Sequence, residues 1–313
     1  MSSAAQEVVQ ADAAAAAAAA ARRPSMFRQL ARNPSVVIGA VVLLAMVFMA
    51  LIAPLLAPRE PSLIDPVNRN KRPGHEMTIT TPAGGEEALV NWMGTDSLGR
   101  DVFSRVVYGA RVSLAVGIIV ATLAVVVGLT IGLVSGFIPW LDSIVMRVMD
   151  GLMAIPGILL ALALVALWGA GLTTVIIAIM IPEIPRVVRL VRSVVLSVRE
   201  EPYVEAAVSV GTPLPKILWR HVLPNTIAPL IVQGTYVCAS AILVEAILSF
   251  LGVGIPTDIP TWGNIMAEGR MLFRVFPHNI MFPGIFLALT VLAVNMLGDG
   301  LRDTLDPKLA KRV

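Results

Sequence analysis

Residues Val112–Ile138 read VSLAVGIIVATLAVVVGLTIGLVSGFI, 27 residues without an Asp, Glu, Lys, Arg or Pro. A helix of about 20 apolar residues crosses the roughly 30 Å hydrocarbon core of a bilayer, so this stretch is long enough to span one. Gly128, Gly132 and Gly136 recur every four positions and leave one face of that helix flat. Such a face suits close helix packing, within this bundle or against a partner chain. Five further apolar stretches flank it: Val36–Ala57, Val148–Trp168, Leu172–Leu190, Thr226–Val253 and Ile280–Leu297. Backbone polar groups in lipid must pair within the segment, and no porin-like alternation occurs, so every stretch reads as helix. Gly169-Ala170-Gly171 leaves room only for a tight turn, which makes its neighbours an antiparallel pair. The expected fold is an all-α membrane protein with six transmembrane helices.

Composition agrees. Of 313 residues, 57% are hydrophobic and 14% charged, with a mean hydropathy of +0.81. Soluble domains carry about 25% charged residues, so this chain cannot cover a water-facing surface. The net charge of +3 and pI near 9.3 would suit a nucleic-acid partner. In a membrane protein, scattered Lys and Arg instead report orientation, and no nucleic acid is expected. The single cysteine, Cys238, excludes an intrachain disulfide and a multi-cysteine metal site; His75, His221 and His278 have no ligand spacing. There is no GxxxxGK[ST], no Gly-Lys pair, no HExxH and no GxSxG. The chain therefore has no ATP site, catalytic constellation, cofactor or metal of its own to point to, and solute work would draw energy from a partner or an ion gradient.

Charge and composition divide the chain. Residues 1–35 read as a cytoplasmic tail, disordered through the run Ala13–Ala21. The first span, 36–57, is about 22 residues, longer than the 7–15 of a cleavable signal, and reads as uncleaved. An outside segment follows at 58–111, then a five-helix core at 112–303 and a cytoplasmic tail at 304–313. With both termini in the cytoplasm, 15 basic residues fall inside and nine outside, seven of the nine in the long 58–111 segment where the bias is weak. Arg186 and Arg189 are then placed to snorkel to the inner interface.

The cytoplasmic stretch 191–225 is the natural docking place for a partner. Within it, Glu200–Pro213 predicts a short helix with acids in its first turn and a stop at Gly211. A second helix follows, capped by Thr212, with Pro213 at its first position and Leu223-Pro224 at its end. Glu205-Ala206-Ala207, three residues, Gly211, then Leu223-Pro224 resembles the EAA loop of ABC importer permeases, with His221 where that family often has Ile. Gly94–Arg105, Tyr108–Leu114, Leu248–Gly254, Thr261-Trp262-Gly263, and Asn295–Asp303 with Asp306-Pro307 are similar to permeases of the dipeptide/oligopeptide C-subunit type. The resemblance covers about residues 25–310.

That resemblance implies a type I ABC importer permease in a bacterial inner membrane. Its partners would be a second homologous permease, two cytoplasmic ATP-binding subunits, a periplasmic or extracellular solute-binding protein, and membrane lipid. Glu205, Ala206, Ala207, Gly211, Pro213, Arg220, His221, Leu223 and Pro224 would form the loop that receives the ATPase. Nickel and glutathione importers share the pattern, so the solute stays open. A secondary transporter or channel working without ATP is the rival, with Glu183 and Glu245 as its midplane acids; a scaffold that only recruits a cytoplasmic protein is a third reading. Each acid either lines a pathway or fixes packing. Pro182 and Pro185 are expected to break or kink the helix around Glu183. Asp96, Arg100, Asp101 and Arg105 either pair to hold a short interfacial helix or touch a binding protein.

Overall fold

The computed structural model describes residues 29–80 and 86–305. The Ala-rich run, Arg22, Arg23, Arg28, Asp306-Pro307 and the last basic residues lie outside that range. Past the helical residues 29–30, the described chain enters α1 (Pro34–Leu51), capped by Asn33, whose side chain accepts from Ser35 N at 3.0 Å. A short α2 (Ala53–Leu56) leads into the segment expected outside. There β1 (His75–Thr80) and β2 (Glu86–Asn91) pair antiparallel, His75 opposite Asn91. This hairpin corrects the all-α expectation. Away from lipid a strand can pair with a single neighbour, and the Thr- and Ile-bearing β1 favours it.

The glycine-marked span extends well past its predicted start. α3 (Val102–Phe137) has 36 residues, about 54 Å of helix, and begins ten residues before Val112. Asp101 starts it by accepting from Ser104 N and Ser104 Oγ, both at 2.7 Å. Residues 102–111 continue the span directly instead of forming a separate interfacial helix.

The third stretch is not one rod. It divides into α4 (Pro139–Ala154) and α5 (Gly157–Trp168), bent by 87° at Ile155-Pro156. Conversely, α6 (Leu172–Arg199) runs unbroken through Pro182 and Pro185. Each proline removes a helical hydrogen bond, but Val175, Ala178, Ile179, Val187, Val188, Val191 and Val195 are buried on the same helix. Tertiary packing keeps it helical, and it reaches nine residues past Leu190.

α7 (Pro202–Ser209) and α8 (Leu214–Ile217) make an elbow, and a π-helical turn (Leu218–Val222) joins α8 to α9 (Leu223–Phe250). α10 (Trp262–Gly269) and α11 (His278–Leu305) complete the described residues. α1 lies along α11, with Asn33 Nδ2 donating to Gly300 O at 3.4 Å. Among the described residues four helices are long and apolar enough to cross a membrane, or five if α4 and α5 count as one span.

The glycine face of α3 meets α6. A Cβ at Gly128, Gly132 or Gly136 would stand 2.6, 2.7 and 3.0 Å from the Cβ atoms of Val187, Val191 and Val195. Three glycines at four-residue spacing thus face three valines at the same spacing, and the two backbones close together.

Candidate functional site

The elbow begins at Glu200-Glu201. Val204 and Ala207 are buried, while Glu205 and Ala206 on the same turns are exposed. Gly211 ends α7 at φ +76, with Thr212 N donating to Ala207 O and Gly211 N to Val208 O. That pair of bonds satisfies carbonyls the helix end would otherwise orphan, and it needs a left-handed residue. α8 is entered at Pro213 without a side-chain cap, so Thr212 does not cap it as the sequence suggested.

Nor does Leu223-Pro224 end a helix. Pro224 has no N–H for the carbonyl four residues back, and Leu223 N donates instead to Leu218 O, five residues back. The one-residue slip absorbs the proline and the helix continues as α9. Asn225 Nδ2 donates to Tyr203 Oη at 3.2 Å and to His221 O at 2.7 Å, and the Tyr203 and His221 rings lie 6.1 Å apart. These contacts tie α7 to the π turn. Tyr203, Val208, Val210 and Trp219 are exposed at this end of the bundle, interspersed with exposed Glu200, Glu201, Glu205, Lys216, Arg220 and Pro224.

The two acids expected at the midplane, Glu183 and Glu245, occupy different settings. Glu183 borders a cleft of about 260 Å³ between the α4–α5 break, α6 and α9. Its carboxylate accepts from Arg186 Nη1 at 3.1 and 3.2 Å and from Ser240 Oγ at 2.9 Å. Glu245 is fully buried, accepting from Ser249 Oγ at 2.8 Å and Ser113 Oγ at 3.3 Å, and it is not among the residues lining that cleft. Arg189 turns to Asp150 and Arg192 to Asp142, joining α6 to α4.

At the opposite end, the separate motifs converge. Asp96 accepts from Arg100 Nε at 2.7 Å and Arg105 Nη1 at 2.8 Å, and both arginines also bond Glu268 of α10. Trp262 is fully buried and donates to Val106 O at 3.1 Å. Asn264 Nδ2 donates to the carbonyls of Ile255, Pro256 and Ile259, closing the loop before α10.

Residues 124–311 match the family described as "Binding-protein-dependent transport system inner membrane component", and residues 25–73 match "N-terminal TM domain of oligopeptide transport permease C". The chain belongs to this permease family. It is 50% identical over 288 residues to "Probable peptide ABC transporter permease protein y4tQ" of Sinorhizobium fredii, covering 92% of this chain and 94% of the relative. It is 41% identical over 284 residues to "Dipeptide transport system permease protein DppC" of Alkalihalophilus pseudofirmus, covering 90% and 89%. A further relative is "Glutathione transport system permease protein GsiD" of Pectobacterium atrosepticum, 45% identical over 220 residues, covering 70% and 73%.

The permease is a multi-pass protein of the bacterial inner membrane and a component of a binding-protein-dependent transporter. The two matches leave residues 74–123 between them, where the hairpin and the Asp96–Arg105 cluster of this permease lie. Sequence reading passed over Glu268, Ser240 and the bend in the third span. Only the bend had a local signal, the Pro156-Gly157 pair, a common helix punctuator. Glu268 and Ser240 act through partners 163 and 57 residues away.

Proposed function

We propose that the chain is one permease subunit of an ATP-driven importer of peptides, forming half of the pathway with a second homologous permease. Two cytoplasmic ATP-binding subunits and a solute-binding protein complete the assembly, and this chain contributes no ATPase site of its own. The observation that carries the reading is the elbow. It exposes large apolar side chains among charged ones, and it is held to the bundle by buried Val204 and Ala207 and by the Tyr203–Asn225 bond. A rigid projection continuous with α6 and α9 is suited to receive a displacement at one end of the bundle and pass it to two spans.

In this reading six helical units cross the membrane: α1, α3, the bent α4–α5 pair, α6, α9 and α11. α6 is the unit whose charges sit least easily in lipid, and its internal pairing of Glu183 with Arg186 supports a place inside the assembly. Both termini and the elbow are cytoplasmic, while the hairpin and the Asp96–Glu268 cluster face outward. ATP-driven closure of the ATPase pair moves the elbow and swings the pathway between inward- and outward-facing arrangements. The peptide class is supported by the names of the relatives; the glutathione relative carries a solute that is itself peptide-like.

Reconstitution with the partner subunits tests this. Uptake is expected only with ATP and both ATPase subunits; gradient-driven uptake by this chain alone would instead favour an ion-coupled transporter. Glu205→Lys and Gly211→Asp should abolish ATP-driven uptake while leaving normal amounts of the subunit in the membrane. Gly211→Asn is the control. A Cβ at 211 meets nothing within 4 Å and Asn tolerates the left-handed backbone, so uptake should survive.

A further inference from the structure

We propose that the cleft between the α4–α5 break and α6 is a binding station for a carboxylate of the transported solute, received by Arg186. The inference rests on the peptide-importer reading above, and it adds a chemical group on the solute and a residue that meets it.

Glu183 is 6% exposed, and its two oxygens are already engaged by Arg186 Nη1 and Ser240 Oγ. The buried acid therefore has little capacity left for a cationic solute group. Arg186 differs: its side chain is 54% exposed, and it spends only Nη1 on Glu183. Among the described residues, Nε and Nη2 have no partner. Those two N–H groups form the side-on edge of a guanidinium, whose spacing matches the two oxygens of a carboxylate. Glu183 in turn fixes the plane of the guanidinium, so less freedom is lost when a second carboxylate binds.

The surroundings suit a short peptide. Ile155, Pro156 and Gly157 at the break, Pro182 on α6 and Val244 on α9 line the cleft with apolar atoms. The bend of 87° is what opens this wall; a straight third span would set side chains against α6 instead. A cleft that sets apolar walls beside Glu183, Ser240 and one oriented charge-bearing fork can accept varied side chains while reading a terminus that every unmodified linear peptide carries.

The test uses the complete importer in liposomes with its binding protein, and tri-alanine and tri-alanine amide as probes, each at a concentration that saturates the binding protein. Arg186→Gln is expected to lower tri-alanine uptake about tenfold and to change amide uptake less than twofold. Glu183→Gln/Arg186→Gln removes the buried charge along with the arginine, guards against misfolding, and should give the same split. Equal losses for both probes, or an unchanged acid-to-amide ratio, would overturn the carboxylate station while leaving the peptide-importer reading intact. A second measurement follows a Met153→Cys label at the rim of the cleft, in a Cys238→Ser background. Tri-alanine should slow its reaction with an uncharged maleimide during turnover, and Arg186→Gln should abolish that protection; absence of protection in both would count against the station. If the unaltered importer, with ATPase activity stimulated by its binding protein, moves neither probe, the peptide reading fails and this inference with it.

Discussion

Gly132 and Asp101 each hold α3 in place, by opposite means. At Gly132 the constraint is contact: a methyl group would stand 2.7 Å from Val191 Cβ. Gly132→Ala should destabilise the subunit by about 1–3 kcal/mol through overpacking. Val191→Ala added to it should recover most of that, as read from melting in detergent; equal melting of single and double variants would show that the seam can spread freely. At Asp101 the constraint is electrostatic. Burial holds its carboxyl above the usual carboxylate range, although hydrogen bonds from Ser104 pull the other way. With the folded value raised, the carboxyl favours folding below its unfolded pKa of about 3.9, and that contribution is lost as pH rises through the folded value. Asp101→Asn keeps an acceptor for Ser104 N and has no charge to bury. Its melting temperature relative to the parent should therefore be higher at pH 7 than at pH 4, whereas Asp101→Ala should cost about 1 kcal/mol for the lost cap.

The π turn at Leu218–Val222 shows how a proline is absorbed within a helix rather than ending it. Pro224 forces the slip, and the slip sets where Tyr203, His221 and Asn225 meet. Pro224→Ala restores the missing donor and should return the turn to α geometry, displacing the elbow against α9 by part of a turn. The expected signature is uncoupling: ATP hydrolysis persists while solute moved per ATP falls severalfold. An unchanged transport ratio would show that the slip does not matter to coupling. Pro156 has the opposite outcome, since it coincides with a sharp bend. The difference lies in the neighbours. Leu218–Val222 runs on unbroken into α9, whereas Ile155-Pro156 is followed by Gly157, whose would-be Cβ already stands 3.3 Å from Pro182 Cβ.

Across the bundle, the motifs separate into two ends. Asn33, Gly300 and the elbow lie at one, and the hairpin, Asp96, Arg105 and Glu268 at the other. The proposed topology is tested with single cysteines in a Cys238→Ser background. Val67→Cys, at an 83% exposed position, should react with a membrane-impermeant maleimide in spheroplasts. Trp219→Cys, at a 76% exposed position, should react only after permeabilisation. The reverse pattern would place the elbow outside and end its role as the receiver of ATP-driven motion. The Asp96–Arg100–Arg105–Glu268 cluster also makes the end opposite the elbow a single body, because a pair broken there leaves an uncompensated charge on the buried Asp96, Arg100 or Arg105.

Long uncharged runs placed most of the helices by themselves, because desolvation and internal backbone pairing are decided within one segment. The stop at Gly211 was legible for the same reason: a left-handed helix end is a local steric demand. Composition alone could not say that Gly128, Gly132 and Gly136 would meet Val187, Val191 and Val195, or that Arg105 would reach Glu268. Nor could it decide between a break and a kink at Pro182 and Pro185, where α6 stays a continuous helix with buried valines along it, and it expected an unbroken span at Pro156 where the chain bends. Each of those outcomes is a competition between a local backbone penalty and contacts supplied by residues far along the chain, and only the folded arrangement brings both sides of that competition together.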